Sequence, residues 1–261
     1  MLKIDLTGKV VVVTGGSGNL GRVICRTLAQ CGADVCVHYF GSKAKAEKVA
    51  DEIRAMVRRA MTAYADVGEL DSVMKMRDEV AATLGMPDII VNNAGGNNQM
   101  ALADTDPDTF MKGMRDNLVH YYALVHYAHD ELIRNKGSIV NIGSHVAITG
   151  QGKTSAYVAA KGAINGLTRE WAAYFCDKGV RVNCMIPGSV WTNSYVKWAA
   201  NFPDPAERRR QAEQSIPFGK RMTTIEEFAD MVVYVASPRA GHLTGELIIN
   251  DGGYCRLDRV L

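Results

Sequence analysis

The sequence has no surplus of either charge: 30 lysines and arginines stand against 28 aspartates and glutamates in 261 residues, a formal net charge of +2. That balance leaves no broad basic face for a phosphate backbone, and the run Arg208, Arg209, Arg210 is too short to make one, so nucleic acid is not expected as a partner. No apolar run approaches the roughly 20 residues that cross a bilayer. The opening MLKIDLTGKV places charges where a signal peptide needs its apolar core. No membrane partner is expected, and the chain reads as cytoplasmic. The six cysteines, at 25, 31, 36, 176, 184 and 255, include no CxxC pair, and several lie in apolar runs. They read as buried free thiols, with neither disulfides nor a metal site expected.

What the sequence does have is a regular alternation of short apolar runs and longer amphipathic stretches. The runs fall at 9–14, 34–39, 60–65, 88–92, 138–142, 181–185 and 247–250, and their cores, such as VVVV and DIIV, are apolar throughout rather than alternating. Strands of that kind are covered on both faces. The expected fold is therefore α/β, a doubly wound Rossmann fold with a seven-stranded parallel sheet and helices on both faces, in one domain spanning 1–261. Helices are expected near 20–31, 43–57, 69–84, 107–134, 155–177 and 224–236, the last opened by Thr224 with Glu226 and Glu227 after it. One long irregular insertion is expected at about 187–223, holding four prolines and the aromatics Trp191, Tyr195, Trp198 and Phe202.

In such a sheet, ligands bind beyond the carboxyl ends of the strands. After the first strand comes Thr14-Gly15-Gly16-Ser17-Gly18-Asn19-Leu20-Gly21 and then a helix. Glycines there allow a tight turn and let backbone N–H groups and the helix N-terminus approach a pyrophosphate. The end of the second strand, His38-Tyr39-Phe40-Gly41-Ser42-Lys43, carries no carboxylate to bond ribose hydroxyls and repel a 2′-phosphate. Ser42, Lys43 and His38 can hold a phosphate instead, which favours NADP over NAD; the other reading of the lysines is that they solvate the next helix.

These residues resemble the short-chain dehydrogenase/reductase family, in its single-domain branch. The likeness runs from Thr7 to Tyr254 through the glycine loop, Asp66-Val67, Asn92-Asn93-Ala94-Gly95, Asn117, Ser144, Tyr157 with Lys161, Pro187-Gly188 with Thr192, and Asp251-Gly252-Gly253. It implies a cofactor held by Gly15, Ser17, Gly18, Asn19, Leu20, Gly21, Asp66, Val67, Asn93, Ala94, Gly95, Pro187, Gly188, Val190 and Thr192 together with Tyr157 and Lys161. One departure is Asn19, where the branch usually has glycine; asparagine is the side chain that best tolerates positive φ.

Three Tyr-x-x-x-Lys sequences occur, at Tyr39/Lys43, Tyr157/Lys161 and Tyr174/Lys178, and only Tyr157 follows a serine placed just after a buried strand. Hydride exchange between a nicotinamide and a carbonyl carbon needs an acid/base beside the oxygen. A phenol serves only if made more acidic, and Lys161, one helical turn on from Tyr157, has the charge to do that. Ser144 can donate to the substrate oxygen. By resemblance, Asn117 would hold a water that relays protons from Lys161. Asn117, Ser144, Tyr157 and Lys161 are thus the expected catalytic set.

Substrate contacts are expected from Asn97 with Asn98 and Gln99, from Ser144, His145 and Gln151, and from Trp191 and Trp198. The amides suit a hydroxylated, sugar-like or polyol substrate. His145 reads equally as a partner for a substrate hydroxyl or as a loop histidine, and the tryptophans either stack on a sugar face or form a core-facing stripe. The segments Pro187-Gly-Ser-Val-Trp-Thr, Phe202-Pro-Asp-Pro and Gly253-Tyr-Cys-Arg-Leu-Asp-Arg resemble the L-fucose dehydrogenase-like group. The competing substrate is a 3-oxoacyl thioester on acyl carrier protein, with Arg208–Arg210 receiving the acidic carrier. A nucleotide-sensing scaffold without chemistry is the remote alternative. The family likeness also implies a homotetramer, paired through the helices at 107–134 and 155–177, with Tyr121, Tyr122, Leu124, Val125 and Tyr127 as apolar surface.

Overall fold

The computed structural model describes residues 3–97 and 100–257. Asn98, Gln99 and the last residues of the Gly253–Arg259 segment lie outside them. The strands are β1 (Val10–Val13), β2 (Asp34–Tyr39), β3 (Ala60–Tyr64), β4 (Ile89–Asn92), β5 (Ser138–Ile142), β6 (Arg181–Pro187) and β7 (Leu247–Asn250). They form one parallel seven-stranded sheet in the order β3-β2-β1-β4-β5-β6-β7. Strand order reverses between β1 and β4, which opens the crevice where ligands of such sheets sit.

The four valines of β1 show why the strands lack alternation. Val11 and Val13 belong to a core with Ile24, Leu28 and Phe228, whereas Val10 and Val12 belong to a second core with Tyr121, Leu124 and Phe175. Successive side chains point to opposite faces, and both faces are dry. Burying each such valine or leucine stabilises the fold by about 1.5–3 kcal/mol. The first core lies under helices α1 (Asn19–Gln30), α2 (Lys43–Arg54) and α11 (Ile225–Ala236). The second lies under α3 (Leu70–Thr83), α5 (His120–Tyr127) and α8 (Ser155–Phe175).

Two expectations change. The stretch 107–134 is three helices, α4 (Pro107–Met114), α5 and α6 (His129–Asn135), with a π-helical turn at Arg115–Val119 between the first two. Such turns insert a residue and re-aim the helix face after them. Tyr121, Leu124 and Val125 consequently point into the core of the single chain rather than outward; Tyr122 is the one of the set that is exposed. A short α7 (Val146–Thr149) follows β5, and the insertion is not irregular either, for α9 (Asn193–Ala199) and α10 (Pro205–Gln214) lie within it. Asp204 accepts from the backbone of Ala206 and Glu207 with Pro205 in the first turn, a start signal written in the sequence.

Among the cysteines, Cys25, Cys36 and Cys184 are buried thiols, but Cys176 is exposed. Thr224 and Glu227 form a reciprocal cap at the start of α11, and its end is held by Arg181. The Arg181 guanidinium donates to the carbonyls of Val235, Ala236 and Ser237 at 2.8, 3.0 and 2.9 Å, satisfying groups that a helix end leaves without partners. Among the described residues no helix is long and apolar enough to cross a membrane.

Candidate active site

A cleft of about 640 Å³ opens at the carboxyl ends of the strands. Gly15, Ser17, Gly18, Asn19, Leu20 and Gly21 line it, as do Asp66, Val67, Asn93, Ala94 and Gly95, and so do Asn117, Tyr157, Lys161, Pro187 and Thr192. The sequence reading missed Phe40, Gly41, Lys112, Asp116 and Ser194, which line it too. Gly188 and Val190 sit behind it. Gly188 N–H donates to Asn250 O at 2.9 Å, and Val190 pairs with Thr223 in a single parallel bridge.

The glycine loop is built by close approach. A Cβ on Gly21 would lie 2.1 Å from the carbonyl oxygen of Gly15, so nothing larger fits while α1 packs this near the turn. Left-handed backbone falls at Gly15 (φ +65°); Asn19 does not need it, because it is already the first residue of α1. No side chain caps α1, and its first residues face the cleft, where unpaired N–H groups and the helix dipole suit an anion. The loop and the cleft therefore fit a dinucleotide. Thr14 ties the loop to the turn after β4, its Oγ1 accepting from Asn93 N–H at 2.8 Å and Ala94 N–H at 3.0 Å.

His38 lines the cleft as well, but both of its ring nitrogens are engaged with backbone. It is buried; Nδ1 accepts from Gly15 N–H at 2.7 Å and Nε2 lies 3.1 Å from Ala65 O. Burial lowers its pKa, so the ring is neutral. Ser42 is taken up as the cap of α2, accepting from Lys45 N–H at 3.3 Å, and Lys43 is exposed at the start of that helix.

At the other end of the cleft, Tyr157 and Lys161 lie one turn apart on α8, the ammonium 5.6 Å from the phenol ring centre. The expected acidification is not seen: the Tyr157 phenol is raised. Burial pushes the Tyr157 phenol up, and a hydrogen bond with Ser144 pulls it back down. The reason is where Lys161 is held: Nζ donates to Tyr121 Oη and to Ile142 O, each at 2.8 Å, and burial lowers its pKa to about 8. Tyr121, whose hydroxyl also donates to Ile142 O at 3.0 Å, is the largest omission from the sequence reading. Asn117 is buried in the π turn with its amide engaged, Oδ1 accepting from Gly96 N–H and Nδ2 donating to Gly113 O, both at 2.9 Å. Tyr174, near the end of α8, and Lys178 beyond it make a surface contact, Lys178 lying 4.4 Å over the half-exposed ring of Tyr174.

On the substrate side, Asn97 Nδ2 reaches Gln151 Oε1 at 3.4 Å, and Asn97 shares a small recess with Asn117, Thr154 and Tyr157. His145 stands edge-on to Tyr254 with ring centres 5.7 Å apart, and burial lowers its pKa. Each of the two tryptophans carries an arginine on its ring. Arg209 lies 4.2 Å over the Trp191 ring, and Arg208 lies 4.9 Å over Trp198 and 4.7 Å over Phe202. The insertion thus packs its aromatics under the arginines of α10, and its neck is closed by Thr223 N–H donating to Ser189 O at 3.1 Å.

Comparison with known proteins agrees with this architecture. A family profile described as enoyl-(acyl carrier protein) reductase matches residues 14–255. L-fucose dehydrogenase of Bos taurus is 34% identical over 247 residues, covering 94% of this chain and 89% of its own length. L-rhamnose 1-dehydrogenase (NAD(P)(+)) of Sphingomonas sp. strain SKA58 is 31% identical over 252 residues, 95% of this chain and 96% of its own. The 3-oxoacyl-[acyl-carrier-protein] reductase of Staphylococcus epidermidis is 31% identical over 246 residues, 94% and 98% of the two chains. The crystal structure of Cj0485 dehydrogenase superposes with a TM-score of 0.94 at 36% identity, covering 100% of this chain and 99% of that one. With a family profile over residues 14–255 and relatives above 30% identity covering nearly the whole length, the chain belongs to the short-chain dehydrogenase/reductase family, oxidoreductases that act on CH–OH groups with a nicotinamide cofactor.

Proposed function

We propose that the chain interconverts a secondary alcohol and its carbonyl on a polar, sugar-like substrate. The observation that carries this reading is that Tyr157 and Lys161 line the same cleft as the glycine loop. When bound, the nicotinamide supplies or accepts the hydride. Tyr157 moves the proton: its phenol oxygen takes it from the alcohol in oxidation and returns it in reduction. The Ser144 hydrogen bond favours the phenolate against the larger pull of burial, and the Lys161 ammonium 5.6 Å from the ring has the sign of charge to do the same. Ser144 also donates to the substrate oxygen as charge gathers there. Asn117 pins the loop at Gly96 through its side chain.

Asn97 in the recess and Gln151 bonded to it offer donors and acceptors suited to hydroxyls, and two curated relatives are sugar dehydrogenases. The acyl-carrier reading loses its main support in the arginine run. Arg209 and Arg210 are paired with Glu213 and Glu207, at 2.8 and 2.7 Å, and Arg208 is stacked on aromatics. For the cofactor, NADP remains the favoured form on the strength of Lys43 and the missing carboxylate after β2. The working unit is read as a homotetramer, which light scattering tests.

The deciding experiment is a panel of aldoses, polyols and an acetoacetyl thioester, each with NAD and NADP and followed by NAD(P)H absorbance. Turnover of sugars supports the proposal, and turnover of the thioester alone replaces it. Dinucleotide binding without turnover across the panel would favour the scaffold reading.

A further inference from the structure

We propose that His38 is the positioning residue of the dinucleotide site: with both ring nitrogens engaged by backbone, it sets cofactor affinity by holding the first peptide of the glycine loop. This rests on the family's use of a nicotinamide dinucleotide.

The imidazole stands where three strand ends meet. It projects from β2, accepts from the first glycine after β1 and reaches the carbonyl of Ala65 just after β3. Its tautomer is fixed by those partners. An N–H points at Nδ1, so Nδ1 carries the lone pair, and Nε2 carries the proton that meets Ala65 O. The backbone of the same residue adds a further tie, His38 O accepting from Ser17 N–H at 3.4 Å.

What makes the Gly15 peptide worth holding is how much of the loop is measured from it. Gly15 O accepts from Gly18 N–H at 3.0 Å and from Asn93 Nδ2 at 3.3 Å, and it is the atom against which Gly21 packs. The start of α1 and the turn after β4 are thus both located relative to this one residue. Gly15 has left-handed backbone with no side chain of its own to fix it. A buried acceptor on its N–H supplies that constraint. Without it, the loop keeps its sequence and loses its pre-organised shape, and the ordering must then be paid by the ligand.

Two substitutions separate this role from simple space filling. His38→Asn keeps an acceptor near the Nδ1 position and gives up the reach to Ala65. His38→Gln extends its amide towards Ala65 and gives up the acceptor for Gly15. The measurements are amide hydrogen exchange at Gly15 in the cofactor-free protein, NAD and NADP dissociation constants from tryptophan fluorescence, and melting temperature. The expected result is faster exchange at Gly15 and roughly tenfold weaker binding of both dinucleotides in the glutamine variant, the size of one lost buried hydrogen bond. The asparagine variant should stay close to wild type in both measurements, even if its melting temperature falls. Equal affinities in the two variants, or unchanged Gly15 exchange in the glutamine variant, overturn the proposal. A wild-type protein that binds neither dinucleotide would refute the cofactor reading separately, with the exchange comparison still deciding whether His38 holds the loop.

Discussion

The two ends of the cleft are made of different materials. Around the glycine loop the shape is set by backbone and by buried polar ties, with Thr14, His38 and Asn93 each joining two segments that lie far apart in sequence. Around the insertion it is set by side chains, aromatic rings under arginines on short helices near the surface. A surface of the first kind accepts one ligand shape and resists substitution. A surface of the second kind can be changed ring by ring without disturbing the sheet. Tyr157 stands at the junction, reached from both.

The sharpest way to break this contrast is at the junction. Tyr157→Phe should lower turnover by about 10²- to 10⁴-fold, the range for losing a general acid/base, with dinucleotide affinity by fluorescence titration nearly unchanged. Near wild-type turnover would remove Tyr157 from the chemistry. Next comes the rigid end. Gly21→Ala puts a methyl where only 2.1 Å separates it from Gly15 O, and the forced shift should cost about 1–3 kcal/mol, seen as weaker dinucleotide binding with substrate selectivity kept. An alanine variant with wild-type affinity would show that the loop is softer than its packing.

Lys161 offers a pH test. Burial lowers its pKa to about 8, so the cost of the buried charge is fully present below that value. Between about pH 8 and 10 the folded form holds fewer protons than the unfolded one, so this group adds stability as pH rises. Denaturant unfolding should show that contribution in the wild type and lack it in Lys161→Met. A matching pH slope in both would mean that the ammonium is not destabilised by its site. The smallest effect belongs to the adaptable end: Arg209→Ala, by uncovering Trp191, should raise substrate KM about two- to fivefold and leave the dinucleotide constant alone. Equal changes in both constants would erase the distinction between the ends.

The same contrast explains what could be read in the sequence. The strands, the loop at 14–21 and the Tyr157/Lys161 spacing were legible because local periodicity and turn chemistry produce them. Tyr121 was not, because an aromatic on an apolar helix carries no mark of its partner; only the fold brings it to Lys161, 40 positions away. The π turn that aims it was equally silent. For His38 the sequence shows an imidazole beside a phosphate site and not its two backbone partners, which only the fold supplies. The arginines of α10 looked like a basic patch because the sequence shows their charge and not the rings and carboxylates beneath them.

The pinched base of the insertion has an evolutionary side. Residues 191–222 leave and re-enter the body at one point, the bridge between Val190 and Thr223, and Arg181 fastens the strand before it to the end of the helix after it. Closing such a loop costs only slowly more as it lengthens. The segment therefore behaves as a cassette: a different one grafted onto the same base would change which molecule is admitted, while the proton-transfer machinery stays in the chassis beneath.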